Sequence, residues 1–202
     1  MKVVLASKNQ HKLVEISAIL SKLDIELVLE SELGVDIDVE ETGATFEENS
    51  FLKANAVMQA TGLPALADDS GIAVDALNGE PGIYSARYGF DDSLDDWGRL
   101  LLLLKNMEAV PDDKRTGRFV CVITMVYPDG RTVQARGEAE GLILREARGE
   151  GGFCYDPIFY YPPAGVTFAE LPAAEKNKVS HRANALKALF EKLSKEKEYD
   201  NK

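Results

Sequence analysis

Two adjacent carboxylates, Asp68 and Asp69, stand between the apolar runs Leu63–Ala67 and Ile72–Leu77. Neighbouring acids repel, and a strand points successive side chains to opposite faces. At a strand end such a pair is readily kept beside a divalent cation, with Ser70 supplying a hydroxyl and Gly71 a permissive turn. Asp, Ser and Gly are equally ordinary turn formers, so these residues alone also fit a solvated turn. A second acidic pair, Glu40-Glu41, closes an alternating stretch. A strand-to-loop junction there can deliver one carboxylate to a metal, with capping or solvent exposure left for the other.

Cations gather at the starts of expected helices. Ser7-Lys8-Asn9-Gln10-His11-Lys12 lies between the short apolar strand Val3–Ala6 and a helical pattern of Leu13, Ile16, Ile19, Leu20 and Leu23. The free N–H groups of a helix start suit an anion, and Lys12 there opposes the helix dipole unless something negative binds. A loop capped by Asn9 with two solvated lysines fits as well. Ser180 caps a last helix whose apolar side is Ala183, Leu186, Leu189, Phe190 and Leu193, which puts His181 and Arg182 on its first turn, shortly after Lys176. Between 149 and 157, Gly149, Gly151 and Gly152 permit a close backbone approach, and Phe153 and Tyr155 flank Cys154. Those rings either stack on a flat ligand or tuck into a core. Cations on three loops and acids on two suit a phosphorylated ligand with Mg2+. Neither a Walker loop nor a Rossmann glycine fingerprint is present.

Strands and helices in alternation must carry these groups. Ile25–Leu29 reads as a strand, and Val35, Ile37 and Val39 alternate with acids as a half-exposed one. Thr45 with Glu48 has capping-box spacing, opening a helix that runs to about Thr61 with Gly62 past its end. Phe51, Ala54 and Met58 would share its apolar face, leaving Lys53 on the surface or turned toward a cleft. Asn78-Gly79 and Pro81-Gly82 are turns, and Ser93 is expected to cap a helix of Leu94, Trp97, Leu101 and Leu104. Its Leu100–Leu104 run predicts burial or a covering subunit, with Trp97 in the core. Phe119–Tyr127 and Thr132–Ala135 form a hairpin about Pro128-Asp129-Gly130, with further strands at Gly141–Leu144 and Ile158–Tyr161.

The 202 residues fit one domain, or one domain with two lobes, over 1–194, with a frayed tail over 195–202. A net charge of -11 argues against binding a nucleic-acid polymer but not a small polyanion held by local lysines. The longest leucine run is far too short to cross a bilayer, and Cys121 and Cys154 lack metal or redox spacing, so the chain reads as cytoplasmic.

The segments Ser7–Lys12, Glu40–Gly43, Phe46–Ala54, Ala67–Gly71, Pro81–Tyr88, Gly151-Gly152-Phe153 with Tyr155-Asp156-Pro157, and Ser180-His181-Arg182 resemble, in order, those of the HAM1-like or inosine triphosphate pyrophosphatase family. The resemblance implies an elongated α/β fold, a mixed sheet flanked by helices, with an active-site cleft between two lobes and usually a homodimer. It implies hydrolysis of inosine, deoxyinosine and xanthosine triphosphates to the monophosphate and pyrophosphate with Mg2+. By position, Ser7, Lys8, Asn9, Gln10, His11 and Lys12 would hold the triphosphate, with Lys12 and Lys53 countering its charge. Asp69 would be general base and metal ligand, with Asp68 and one of Glu40 or Glu41 supporting the metal. Ser70 would touch the substrate, and Phe153, Cys154, Tyr155, Asp156, Lys176, His181 and Arg182 would contact base and phosphate. Cys154 departs from the glycine usual there; if that backbone needs a positive φ, strain or a shifted loop follows. Pyrophosphatases of modified pyrimidine nucleotides and a non-catalytic nucleotide sensor are the alternative readings.

Overall fold

The computed structural model describes residues 1–8 and 10–200, with the backbone alone for Gln10, His11, Glu15 and 196–200. It is a mixed α/β fold built on one seven-stranded sheet in the order β2-β1-β3-β4-β5-β6-β7. The strands are β1 Lys2–Leu5, β2 Glu26–Leu29, β3 Ala65–Val74, β4 Thr116–Val126, β5 Thr132–Ile143, β6 Phe159–Tyr161 and β7 Val166–Thr167. The helices are α1 Gln10–Leu20, α2 Phe46–Thr61, α3 Asp96–Asn106, α4 Ala173–Val179 and α5 His181–Asp200. β1 runs parallel to β2 and to β3, whereas β5, β6 and β7 are antiparallel neighbours. The chain divides into two compact units: residues 1–69, 121–137 and 185–202, and residues 70–120 and 138–184.

In the first unit the side-chain period of two sorts the core into two faces. Val3, Leu5 and Leu66 pack with Ile16 and Leu20 of α1 and Leu186 and Leu189 of α5. Val4 and Ala65 pack with Val57 of α2, and Ala67 with Ala54 of the same helix. Adjacent residues of β1 and β3 therefore address different helices. The second unit has its own core, in which Leu100 and Leu103 of α3 meet Phe119, Tyr155, Phe159 and Phe168. Buried Arg115 ties that unit together by donating to the carbonyls of Met107, Ile143 and Leu144.

Several expectations are corrected. Asp68 and Asp69 do not sit at a strand end: β3 runs unbroken through them, because lysine partners make the buried acids tolerable within the sheet. The alternating stretch Val35–Val39 forms no strand: Asp36 and Asp38 face water, and the Val35 N–H turns back to the Glu30 carbonyl at 3.1 Å instead of joining a ladder. α3 is capped by Asp95, which accepts from the Gly98 N–H, rather than by Ser93. Trp97 and Leu101 are about half exposed, because the helix turns Leu100 and Leu103 inward instead. On α2 the inward residues are Phe46, Asn49, Ser50, Ala54 and Val57, with Phe51 exposed. The second hairpin arm and the expected strand at Gly141–Leu144 are one strand, β5. Thr45 does cap α2, accepting from the Glu48 N–H, and Gly62 closes it in the left-handed conformation.

Candidate active site

The first unit gathers five charges around β3. Asp68 shares the α1 face with Leu66, and Lys12, in the first turn of α1, donates to its Oδ1 at 2.8 Å. Asp69 shares the α2 face with Ala67, and Lys53 of α2 donates to its Oδ1, also at 2.8 Å. Lys53 gives a second hydrogen bond, 2.8 Å long, to Glu41 Oε1. One ammonium thus bridges two carboxylates from separate parts of the chain. Glu40 is exposed, so of the two glutamates Glu41 is the one drawn into this cluster.

Burial dominates the electrostatics. It pushes the Asp69 carboxyl above its ordinary value, partly opposed by Lys53 and reinforced by Glu41 and Asp68. Burial alone would lower Lys53, but Asp69 and then Glu41 outweigh it and hold the ammonium firmly protonated. The second oxygen of Asp69, Oδ2, is buried and has no hydrogen-bond partner among the described residues. An anionic oxygen in that condition calls for a cation or a water. Oxygen donors from Asp69 and Glu41 are the hard ligands that Mg2+ takes alongside phosphate oxygens, so the residues fit that ion. Among the described residues no group of three or more acids, histidines or cysteines is assembled as a closed metal cage. Such a cage is not required of an ion completed by substrate phosphates.

The rest of the expected triphosphate loop is less converged. Ser7 follows β1 and is half-buried. Lys8 points to the surface and pairs with the equally exposed Asp36. Asn9 lies outside the described residues, and Gln10 and His11 contribute the first backbone of α1.

The second unit holds the remaining candidates. Ser70 continues β3 and is half-buried. In the glycine-rich loop, Phe153 is 73% exposed whereas Tyr155 is buried, its hydroxyl donating to the Ser85 carbonyl at 2.8 Å. A single aromatic platform therefore results; Tyr155 is an anchor, because its ring is worth more to the core. Asp156 is buried as well, and its Oδ2 accepts from the Phe153 N–H and from Lys176 of α4. This carboxylate shapes the loop that presents Phe153. Cys154 has φ 49°, so the left-handed backbone is real and a side chain occupies it. Burial, and then Asp96, which hydrogen-bonds the thiol, push its pKa up to about 12. His181 opens α5 and lies flat on Phe119, ring centres 4.8 Å apart, while Arg182 beside it is half-buried.

The Ham1 family model matches residues 3–192. The chain belongs to the Ham1 family. It is 49% identical over 194 residues to a dITP/XTP pyrophosphatase of Shigella flexneri, covering 95% of this chain and 98% of that one. A dITP/XTP pyrophosphatase of Thermus thermophilus is 50% identical over 191 residues, 95% of this chain and 91% of the relative. Among solved structures, a HAM1 protein from Coxiella burnetii superposes with a TM-score of 0.90 at 43% identity, covering 96% of this chain and 99% of that one. The Staphylococcus aureus Ham1 protein gives 0.90 and 43%, over 97% and 100%.

Four residues that brace the candidate side chains, each within its own unit, escape sequence reasoning. Ser85 accepts from the Ile72 N–H, donates to the Gly82 carbonyl and lends its own carbonyl to Tyr155. Ser50 and Thr124 share a buried 2.6 Å hydrogen bond that ties α2 to β4. Asn49, wholly buried, accepts from the Gly43 N–H. A polar residue on the inward face of an apolar helix pattern, as at 49 and 50, is the available signal.

Proposed function

We propose that this chain hydrolyses inosine, deoxyinosine and xanthosine triphosphates to the monophosphate and pyrophosphate with Mg2+, removing deaminated purine nucleotides before they enter DNA or RNA. Membership of the Ham1 family and relatives named dITP/XTP pyrophosphatase support the reaction. The observation that carries it is Asp69: a buried carboxylate with raised proton affinity, one oxygen on Lys53 and the other open.

Hydrolysis at the α-phosphorus needs an oriented water, a base, and positive charge on the phosphate oxygens. Asp69 Oδ2 receives the water's proton, since a carboxylate raised toward neutrality is a stronger base than an ordinary one. Lys53 fixes the other oxygen and keeps Asp69 oriented. Mg2+, held by Asp69 and Glu41 when bound, supplies charge neutralisation and a more acidic water. Lys12 and Lys53 counter the triphosphate charge, Lys12 being held ready by Asp68. Phe153 stacks on the base. A donor such as Arg182 or a backbone N–H donates to the 6-oxo group of hypoxanthine but meets another donor in adenine. Each unmatched buried donor costs about 1–3 kcal/mol, so two such clashes give selectivity of hundreds-fold.

The proposal extends to a cytoplasmic homodimer. Cys121 and Cys154, which form no disulfide, suit a reducing compartment, and exposed Trp97 and Leu101 on α3 offer apolar surface for a second copy. No helix among the described residues is long and apolar enough to cross a membrane. The test is pyrophosphate release from ITP, XTP, dTTP, ATP and GTP with Mg2+ and with EDTA. The oxo-purine nucleotides ITP and XTP should exceed ATP by at least ~100-fold, and EDTA should abolish turnover. Faster cleavage of dTTP than of ITP, or turnover that survives EDTA, refutes the reading.

A further inference from the structure

Asn49 is fully buried in the second turn of α2, yet it uses half of its amide. Its Oδ1 accepts from the Gly43 N–H at 2.9 Å, while its Nδ2 is buried with no hydrogen-bond partner among the described residues. A buried donor left unmatched is a standing cost that leucine or methionine would remove. What keeps the amide useful is therefore its acceptor. The backbone that it holds has little room: a Cβ on Gly43 would come within 2.6 Å of both Asn49 Oδ1 and Glu48 Cβ. The next N–H, of Ala44, is held by Glu48 Oε2 at 2.6 Å, and the Thr42 N–H returns to the Glu40 carbonyl at 3.0 Å. Successive amides are pinned, and the residue that this pinning aims is Glu41, whose carboxylate sits on Lys53 beside Asp69.

We infer that Asn49 and Gly43 form a backbone latch that positions Glu41 toward the divalent cation; this rests on the reading of Asp69 and Glu41 as the oxygen donors of that ion. Asn49 is a positioning residue, acting through Glu41. Outer partners that orient a metal ligand commonly change metal affinity by ~10–100-fold when removed, without touching the ion themselves.

The experiment compares the wild-type protein with Asn49→Leu, which keeps the branched side-chain skeleton, removes the acceptor and removes the orphan donor. Three quantities are read: Mn2+ binding by electron paramagnetic resonance without nucleotide, amide hydrogen exchange of residues 42–45, and the melting temperature. Mn2+ affinity should fall by roughly tenfold and exchange at Gly43 and Ala44 should speed up, with a cooperative melt retained. Gly43→Ala, which forces the same contact apart from the other side, should reproduce both effects. Unchanged Mn2+ affinity in a folded Asn49→Leu protein overturns the latch. If Asn49→Leu does not fold, Gly43→Ala decides by the same criterion. Weakened Mn2+ binding in a protein whose wild type cleaves no nucleoside triphosphate would leave the latch standing and remove the pyrophosphatase reading; the converse pattern would do the reverse.

Discussion

Asp68 and Asp69 are sequence neighbours that turn their backs on each other: one receives Lys12 from α1, the other Lys53 from α2. A strand's alternation lets two buried acids coexist without sharing a pocket, each neutralised by its own helix. Their roles divide accordingly. Asp68 holds Lys12 in place, and Asp69 keeps an oxygen open for chemistry.

Replacing Asp69 by Asn should lower pyrophosphate release at least ~100-fold while leaving inosine triphosphate binding intact by calorimetry, as loss of a general base does. The same variant should be more stable than the wild type at neutral pH. The folded carboxyl has a raised pKa, so its contribution to stability is complete below the unfolded value and is lost as pH rises through the folded one. Thermal melts should therefore show the advantage of Asp69→Asn growing as pH rises from the acid range and vanishing at low pH. A constant difference across pH would contradict the raised pKa.

Lys12→Met should destabilise the fold by about 3–5 kcal/mol, because it takes the ammonium away from a carboxylate whose side chain is only 2% exposed. Urea unfolding measures this. A second change, Asp68→Asn, should restore part of the loss, and the cycle of single and double variants gives the coupling. Simple addition of the two losses would mean that the ion pair carries no weight.

Most of this cluster could be read from residue types, while its pairing could not. Glu40 and Glu41 are indistinguishable in sequence; the latch around Gly43 decides between them, and it depends on a side chain six residues further on. Tyr155 and Phe153 look alike as stacking rings until the Ser85 carbonyl, 70 residues away, claims one hydroxyl. Capping at Thr45 was legible because it is local, whereas the failed strand at Val35–Val39 had the right alternation but no partner edge. Trp97 was misplaced for a related reason: a run of five leucines offers no periodicity from which to choose an inward face.

Cys154 gives two separable effects. Glycine at 154 should be more stable than alanine by about 1 kcal/mol, since only glycine takes a φ of 49° without penalty. Denaturant titration of the two variants tests this, and equal stability would show that the loop relaxes around alanine. With its pKa near 12, the thiol should alkylate with iodoacetamide far more slowly than free cysteine at pH 8, since the thiolate is the reactive form. Rapid labelling at that position would mean that the Asp96 contact does not persist.

Tyr155→Phe should cost about 1 kcal/mol by urea unfolding, the worth of one buried hydrogen bond, with the Ser85 carbonyl left to find another donor. If Tyr155 instead touched the base, the variant would change the KM for inosine triphosphate and leave stability alone.

The back-to-back acids also determine which kinds of genetic change β3 can survive. Point substitutions at Ala65 or Ala67 alter one face only, but deleting or inserting a single codon ahead of Asp68 would move the strand's later side chains to the opposite face. Asp69 would then be presented to α1 and Asp68 to α2, leaving each lysine opposite the wrong carboxylate. Frame length in this segment is thus as much a determinant of activity as the identity of any residue within it.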